Sequence, residues 1–308
     1  MNNEAIKIEG LTKTFEGITA VDGLNLSIEK GEMFGIVGPD GAGKTTTFRM
    51  LTGILTPTSG TATLLGHDLV KESEEIKKEI GYLSQRFSLY GDLTVVENIE
   101  FFAEINEVFD FKARREELLE FTRLTPFRNR LADQLSGGMK QKLALACTLI
   151  HRPKIIFLDE PTTGVDPVSR RDFWKILSSL LKENITIVMS TPYLDEAERC
   201  GRVALVNQGK VMVVDTPQKL KGLMDGEVIE VVSDQIRRAA GVLLHHPSVK
   251  DVQAFGDRLN VVVENSKRDF PIVERTLADA NIHIAEWRVI NPSLENIFIS
   301  MMSHEQNV

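Results

Sequence analysis

The stretch Gly38-Pro39-Asp40-Gly41-Ala42-Gly43-Lys44-Thr45 fits the pattern G-x-x-x-x-G-K-[ST], and that pattern dictates the backbone on either side of it. The apolar run Met33 to Val37 precedes it as a strand, and the residues through Met50 follow it as a helix. Glycines let backbone N–H groups close round phosphate oxygens. Lys44 brings a cation to the β- and γ-phosphates, Thr45 offers its hydroxyl to Mg²⁺, and the helix N-terminus supports the negative charge. Gly38, Asp40, Gly41, Ala42, Gly43, Lys44, Thr45 and Thr46 are the candidate phosphate-loop contacts. The plainer reading is a Gly-rich turn closing a strand. With Gly near 7% of residues, such a match arises by chance in roughly one chain in a hundred of this length, and the strand-loop-helix context lowers that further. The loop by itself leaves kinases, GTPases and ATPases open.

A second cluster narrows the chemistry. Ile155-Ile156-Phe157-Leu158-Asp159-Glu160 is an apolar strand ending in two carboxylates, an arrangement that sets one acid at a metal and another near the γ-phosphate. Asp159 is the candidate metal ligand, and Glu160 the candidate general base for the attacking water. Without the phosphate loop, a solvated strand end would explain the pair equally well.

Bulk properties bound the rest. At 308 residues the chain predicts one large unit and a smaller one. Its 42% hydrophobic and 26% charged residues are those of a globular protein. The excess of 44 acidic over 36 basic residues argues against a nucleic-acid partner. Two cysteines, Cys147 and Cys200, are too few for a disulfide framework and fit a reducing cytoplasm. Met1 to Gly10 lacks an apolar signal core, and no later run is long enough to cross a bilayer. Any membrane association is therefore expected through another chain.

Strand-like runs (Ile6 to Leu11, Leu24 to Ile28, Met33 to Val37, Ile155 to Leu158, Ile185 to Ser190) alternate with helical stretches such as Ser136 to Ile150 and Val168 to Leu181, which predicts a largely parallel sheet. Residues 95–150 read as an inserted helical subdomain. From about Glu227 the order becomes βαββαβ, a small ferredoxin-like appendage. The fold class is α/β, with a β-rich phosphate-loop core over residues 1–225 and an α+β accessory domain over 226–308.

Leu135-Ser136-Gly137-Gly138-Met139-Lys140-Gln141 stands between these two clusters. Here the chain resembles the ATP-binding-cassette (ABC) family of phosphate-loop NTPases, whose signature loop begins with this sequence. The resemblance covers about Ile6 to Leu223. It implies that Ser136, Gly137 and Gly138 close over ATP held by the opposite subunit. It further implies that Phe15 stacks on adenine, and that Gln85 touches Mg²⁺ and the attacking water. Asp166 would sit in a loop crossing the dimer interface, though an N-cap also explains it. The implied set is then Lys44, Gln85 and Glu160 for catalysis, Thr45, Gln85 and Asp159 for metal, and ATP and Mg²⁺ as cofactors. The implied function is an ATPase subunit, cytoplasmic and peripheral at the inner face of the membrane, that drives transmembrane permease subunits together with a second cassette.

Two positions depart from the family pattern. Pro192 stands where a switch histidine is usual, and proline has no donor for the γ-phosphate; loss of such a donor predicts hydrolysis slowed by roughly one to three powers of ten. Asp40 replaces a common Asn and brings negative charge near phosphate. The segment Phe87 to Asn98 resembles the family groove for a membrane partner, with Thr94 as a helix cap. Pro292-Ser293-Leu294-Glu295-Asn296-Ile297-Phe298 resembles the tail of ABC-2-type exporter subunits. The rival readings are a low-turnover regulatory cassette in a heterodimer and a soluble ABC-type ATPase of DNA repair or translation.

Overall fold

A computed structural model of the chain describes residues 3–86 and 89–305. Two compact units divide it, Met1–Val214 and Asp215–Val308. In chain order the first carries β1 (Glu4–Phe15), β2 (Ile18–Glu29), β3 (Met33–Val37), α1 (Lys44–Leu51), β4 (Ser59–Leu64), β5 (His67–Asp68), α2 (Ser73–Glu79) and β6 (Ile80–Leu83). The helical segment follows as α3 (Val95–Ile105), α4 (Lys112–Phe121) and α5 (Gly137–Leu149). Then come β7 (Ile155–Asp159), α6 (Pro167–Lys182), β8 (Thr186–Thr191), α7 (Leu194–Ala197), β9 (Arg202–Asn207) and β10 (Lys210–Asp215).

The strands form two sheets. One has the order β10-β9-β3-β8-β7-β6, and β6, β7, β8, β3 and β9 pair in parallel within it. Strands β3 and β7 are buried at every residue, as parallel strands covered on both faces must be. The other sheet, β2-β1-β4-β5, is antiparallel and alternates buried with exposed residues along β1 and β2. Phe48 of α1 meets Phe157 of β7 edge-on at 5.4 Å, which locks the helix after the phosphate loop onto the acid-ended strand. Both cysteines are buried free thiols, and burial pushes Cys200 up to about 12.

The second unit carries α8 (Pro217–Lys221), β11 (Glu227–Val232), α9 (Ile236–Leu243), β12 (Val249–Phe255), β13 (Arg258–Val263), α10 (Ser266–Asp279), β14 (Glu286–Ile290) and α11 (Leu294–Glu305). Its antiparallel sheet has the order β12-β13-β11-β14. One face packs Ile229, Val231, Leu259 and Val261 against Leu243 of α9 and Val273 and Leu277 of α10. The tail segment beginning at Pro292 docks α11: Asn296 is fully buried and its Nδ2 donates to Gln253 Oε1 at 2.8 Å. Helix α8 packs against α11, so the division falls ahead of the boundary at 225 expected from sequence.

Candidate functional site

The phosphate loop is shaped by close backbone approach. Gly43 caps α1 at φ 92°, and a Cβ there would lie 2.4 Å from the Ala20 carbonyl oxygen. Lys44 is 4% exposed. Its Nζ donates to Gly38 O at 2.8 Å and Pro39 O at 3.0 Å, and lies 3.5 Å from Glu160 Oε1. Asp40 to Thr46 line an open cleft of about 660 Å³ together with Phe15, Ala20, Gln85, Glu160, Thr163, Pro192 and Tyr193. Phe15 ends β1 with its ring 43% exposed, and Lys13 Nζ lies 5.1 Å from the ring centroid. Gly38 is buried beneath the loop, against Val206.

The acid end of β7 is gripped from both flanking strands. Asp159 is fully buried; the Tyr82 hydroxyl donates to its Oδ2 at 3.3 Å and Ser190 Oγ donates to its Oδ1 at 2.5 Å. Burial, reinforced by the Asp159 charge, pushes the Tyr82 phenol well above its ordinary range, so it stays a donor. Glu160 takes the left-handed backbone, φ 49°. Its N–H points at both Ser190 O and Ser190 Oγ, each 3.1 Å away. Its Oε2 accepts from Gln85 Nε2 at 2.8 Å and from Thr163 Oγ1 at 3.5 Å.

Thr45, Gln85 and Asp159 share a second recess with Arg49, Tyr82, Ser84 and Arg86. Among the described residues no group of three or more His, Cys, Asp or Glu side chains is poised to hold a metal. One carboxylate, one hydroxyl and one amide suit Mg²⁺ nonetheless, since that ion keeps several waters and takes further oxygens from substrate phosphates.

Pro192 and Tyr193 form the far lip of the cleft. Behind them the fully buried Glu196 accepts from Thr191 Oγ1 at 3.0 Å and Thr162 Oγ1 at 2.5 Å, with Arg170 Nε 3.5 Å away. One carboxylate thus ties the segment after Glu160 to the segment before Pro192.

Ser136, Gly137 and Gly138 open α5, and none of them lines the cleft. Ser136 is exposed and caps the helix through Met139 N at 3.4 Å; Gly137 is exposed as well. Gly138 is buried because a Cβ would sit 2.3 Å from the Ser169 side chain of α6. Asp166 caps α6, accepting from Ser169 N at 2.9 Å and Val168 N at 3.0 Å. Hydrogen bonding from Ser169 and then Val168 holds its carboxyl below the usual range. Of the segment read as a partner groove, Phe87 and Ser88 lie outside the described residues. Thr94 forms a capping box with Glu97, and buried Asn98 braces the turn, its Nδ2 amide sharing its two protons among Tyr90 O, Leu93 O and Thr94 O.

Sequence reasoning missed Tyr82, Asn98, Thr163, Ser190 and Glu196. A lone hydroxyl or amide in an apolar or helical run gives no signal until strand order is known. Glu196 stands between Asp195 and Glu198 in sequence, with nothing local to mark it as the buried acid of the three.

A family model described as "ABC transporter" matches residues 21–163. The chain is 44% identical over 271 residues to the probable multidrug ABC transporter ATP-binding protein YbhF of Escherichia coli (strain K12), covering 86% of this chain and 47% of that one. It thus spans about half the length of that relative and of its Shigella flexneri counterpart. It is 33% identical to the daunorubicin resistance ATP-binding protein DrrA2 of Streptomyces coeruleorubidus, over 99% of this chain and 97% of that one. Among solved structures, CbiO1 of Clostridium perfringens, part of the ABC transporter complex CbiONQ, superposes with TM-score 0.66 at 27% identity over 80% of this chain and 97% of that one. The dimeric post-hydrolysis ATP-binding cassette MJ0796, bound to ADP and Pi, does so with TM-score 0.62 at 28% identity over 68% and 98%. No helix among the described residues is long and apolar enough to cross a membrane.

Proposed function

The chain belongs to the ABC transporter family as an ATP-binding cassette, and from that premise we propose that it hydrolyses Mg-ATP to drive an ABC-2-type exporter whose membrane-spanning part is a separate permease. The convergence of Lys44, Gln85 and Glu160 on one cleft at the phosphate loop carries this reading. Phe15 offers adenine a flat exposed ring, and backbone N–H groups of the loop take the phosphates. Lys44 has three protons. Two are spent on Gly38 O and Pro39 O; Nζ lies 3.5 Å from Glu160 Oε1, and the third proton would serve the γ-phosphate of bound ATP. Thr45, Asp159 and Gln85 would hold Mg²⁺, which supplies neutralisation of the phosphate charge. Glu160, oriented by Gln85, accepts the proton of the attacking water.

The exposed Ser136 and Gly137 then serve the nucleotide of a second cassette, so that two chains sandwich two ATP molecules and separate after hydrolysis. Tyr90 ahead of α3, Ile105 at its end and Phe109 just beyond it are exposed apolar residues, and they support docking of the permease at this segment. Export of drug-like cargo is supported by the names of the curated relatives. A second reading, a low-turnover cassette paired with a more active sibling, is favoured by Pro192 on the lip of the cleft.

The test measures steady-state phosphate release and nucleotide-dependent association of the purified chain and of Glu160→Gln. The wild type should hydrolyse Mg-ATP, and the variant should lose roughly 10²- to 10⁴-fold in rate while remaining associated in ATP. A wild type that neither binds nor cleaves Mg-ATP, alone or with its partners, sinks the proposal.

A further inference from the structure

We propose that Ser190 is a positioning residue, one hydroxyl that orients the metal-binding carboxylate of Asp159 and at the same time pins the backbone of the catalytic Glu160. The inference rests on the Mg-ATP reading above. Ser190 lies directly across the parallel β7–β8 ladder from Asp159 and is fully buried. A serine hydroxyl has one proton to give and lone pairs to receive. The proton goes to Asp159 Oδ1, and a lone pair receives Glu160 N–H. Both acids of the site are thus fixed through a single atom.

Each of those bonds has work to do. Asp159 Oδ2 is held by Tyr82 on the opposite strand, so the two hydroxyls fix the carboxylate plane and leave its remaining lone pairs for a metal. Carboxylates that ligate metals depend on such outer partners for their orientation. Glu160, at φ 49°, occupies a backbone conformation costly for a side chain with a Cβ. A second acceptor for its N–H beside Ser190 O offsets that cost and aims the side chain at the cleft. Neighbouring Thr191 is already committed to Glu196 and Tyr193 N, so it cannot take over.

The arrangement predicts a particular failure. Without the hydroxyl, Glu160 N–H keeps Ser190 O and the ladder stays paired, so the fold persists. Asp159 loses one of its two grips, so the defect concentrates on metal use.

The experiment uses the full chain and compares wild type with Ser190→Ala and with the near-isosteric Ser190→Cys, whose thiol is a weak donor. ATP affinity is measured in EDTA and across a MgCl₂ titration, and single-turnover phosphate release is followed over the same titration. Both variants should need roughly 10- to 100-fold more Mg²⁺ for half-maximal effect, release phosphate more slowly, and keep wild-type ATP affinity in EDTA. Unchanged Mg²⁺ dependence in either folded variant overturns the proposal. So does an equal loss of affinity with and without Mg²⁺, the mark of a merely structural role. A wild type showing no Mg²⁺ effect at all would instead overturn the underlying nucleotide reading, and this one with it.

Discussion

Gln85 donates through Nε2 to Glu160 Oε2 at 2.8 Å, joining the end of β6 to the acid that closes β7. The carboxylate that is to take a proton is therefore aimed by a residue at the entrance to the helical segment. A permease docked there, as proposed, would be one hydrogen bond from the chemistry.

Removing that link should separate binding from turnover. Gln85→Ala is expected to cut the single-turnover rate about tenfold or more while leaving ATP affinity in EDTA unchanged. A variant that loses affinity and keeps its rate would show Gln85 to be a binding residue only.

Pro192 lines the cleft without a donor, so Pro192→His should add one where charge develops in the transition state. The expected gain in phosphate release is roughly 10- to 1000-fold, with little change in ATP affinity. An equal or slower rate would mean that nearby groups already supply the missing stabilisation.

The junction between α5 and α6 depends on the absence of a side chain at Gly138, where a Cβ would meet Ser169 at 2.3 Å. Gly138→Ala should lower unfolding stability by about 1–3 kcal/mol. The double variant with Ser169→Gly should recover most of it, apart from the propensity lost by placing glycine in a helix. Urea midpoints of the two variants check the contact, and no recovery would mean that the strain is relieved elsewhere.

Ionised Asp166 caps α6, and its carboxyl is held below the ordinary value of 3.8. A depressed folded value gives stability that is complete above the ordinary carboxylate range and lost as pH falls through the folded value. Asp166→Asn caps without titrating at these pH values. The thermal midpoint of wild type should therefore exceed that of the variant near neutrality, with the difference shrinking as pH falls below about 4 and through the depressed folded value. A pH-independent difference would assign the effect to packing.

How much of this was legible in the chain depends on the range of the interactions. Met33–Val37 and Ile155–Asp159 could be read because continuous apolar runs ending in a glycine loop or an acid pair have few other uses. The phosphate loop declared its geometry for the same reason. The antiparallel sheet was not legible: β1 and β2 look like further core strands until β4 and β5 join them from residues 59–68. Nor could Ser190 be distinguished from filler, because its meaning comes from lying opposite Asp159, a fact of strand order and not of local sequence. Asn98 and Asn296 were silent too, since a buried amide bracing a turn or a tail resembles any surface amide in the alphabet.

Ser136 and Gly137 stand exposed and apart from the nucleotide cleft of their own chain. If these residues serve a second cassette's nucleotide, as proposed, each chain holds only half of each reaction chamber and its specific activity belongs to the population. Dilution alone should silence it, with the rate per molecule falling in step with concentration once encounters become scarce.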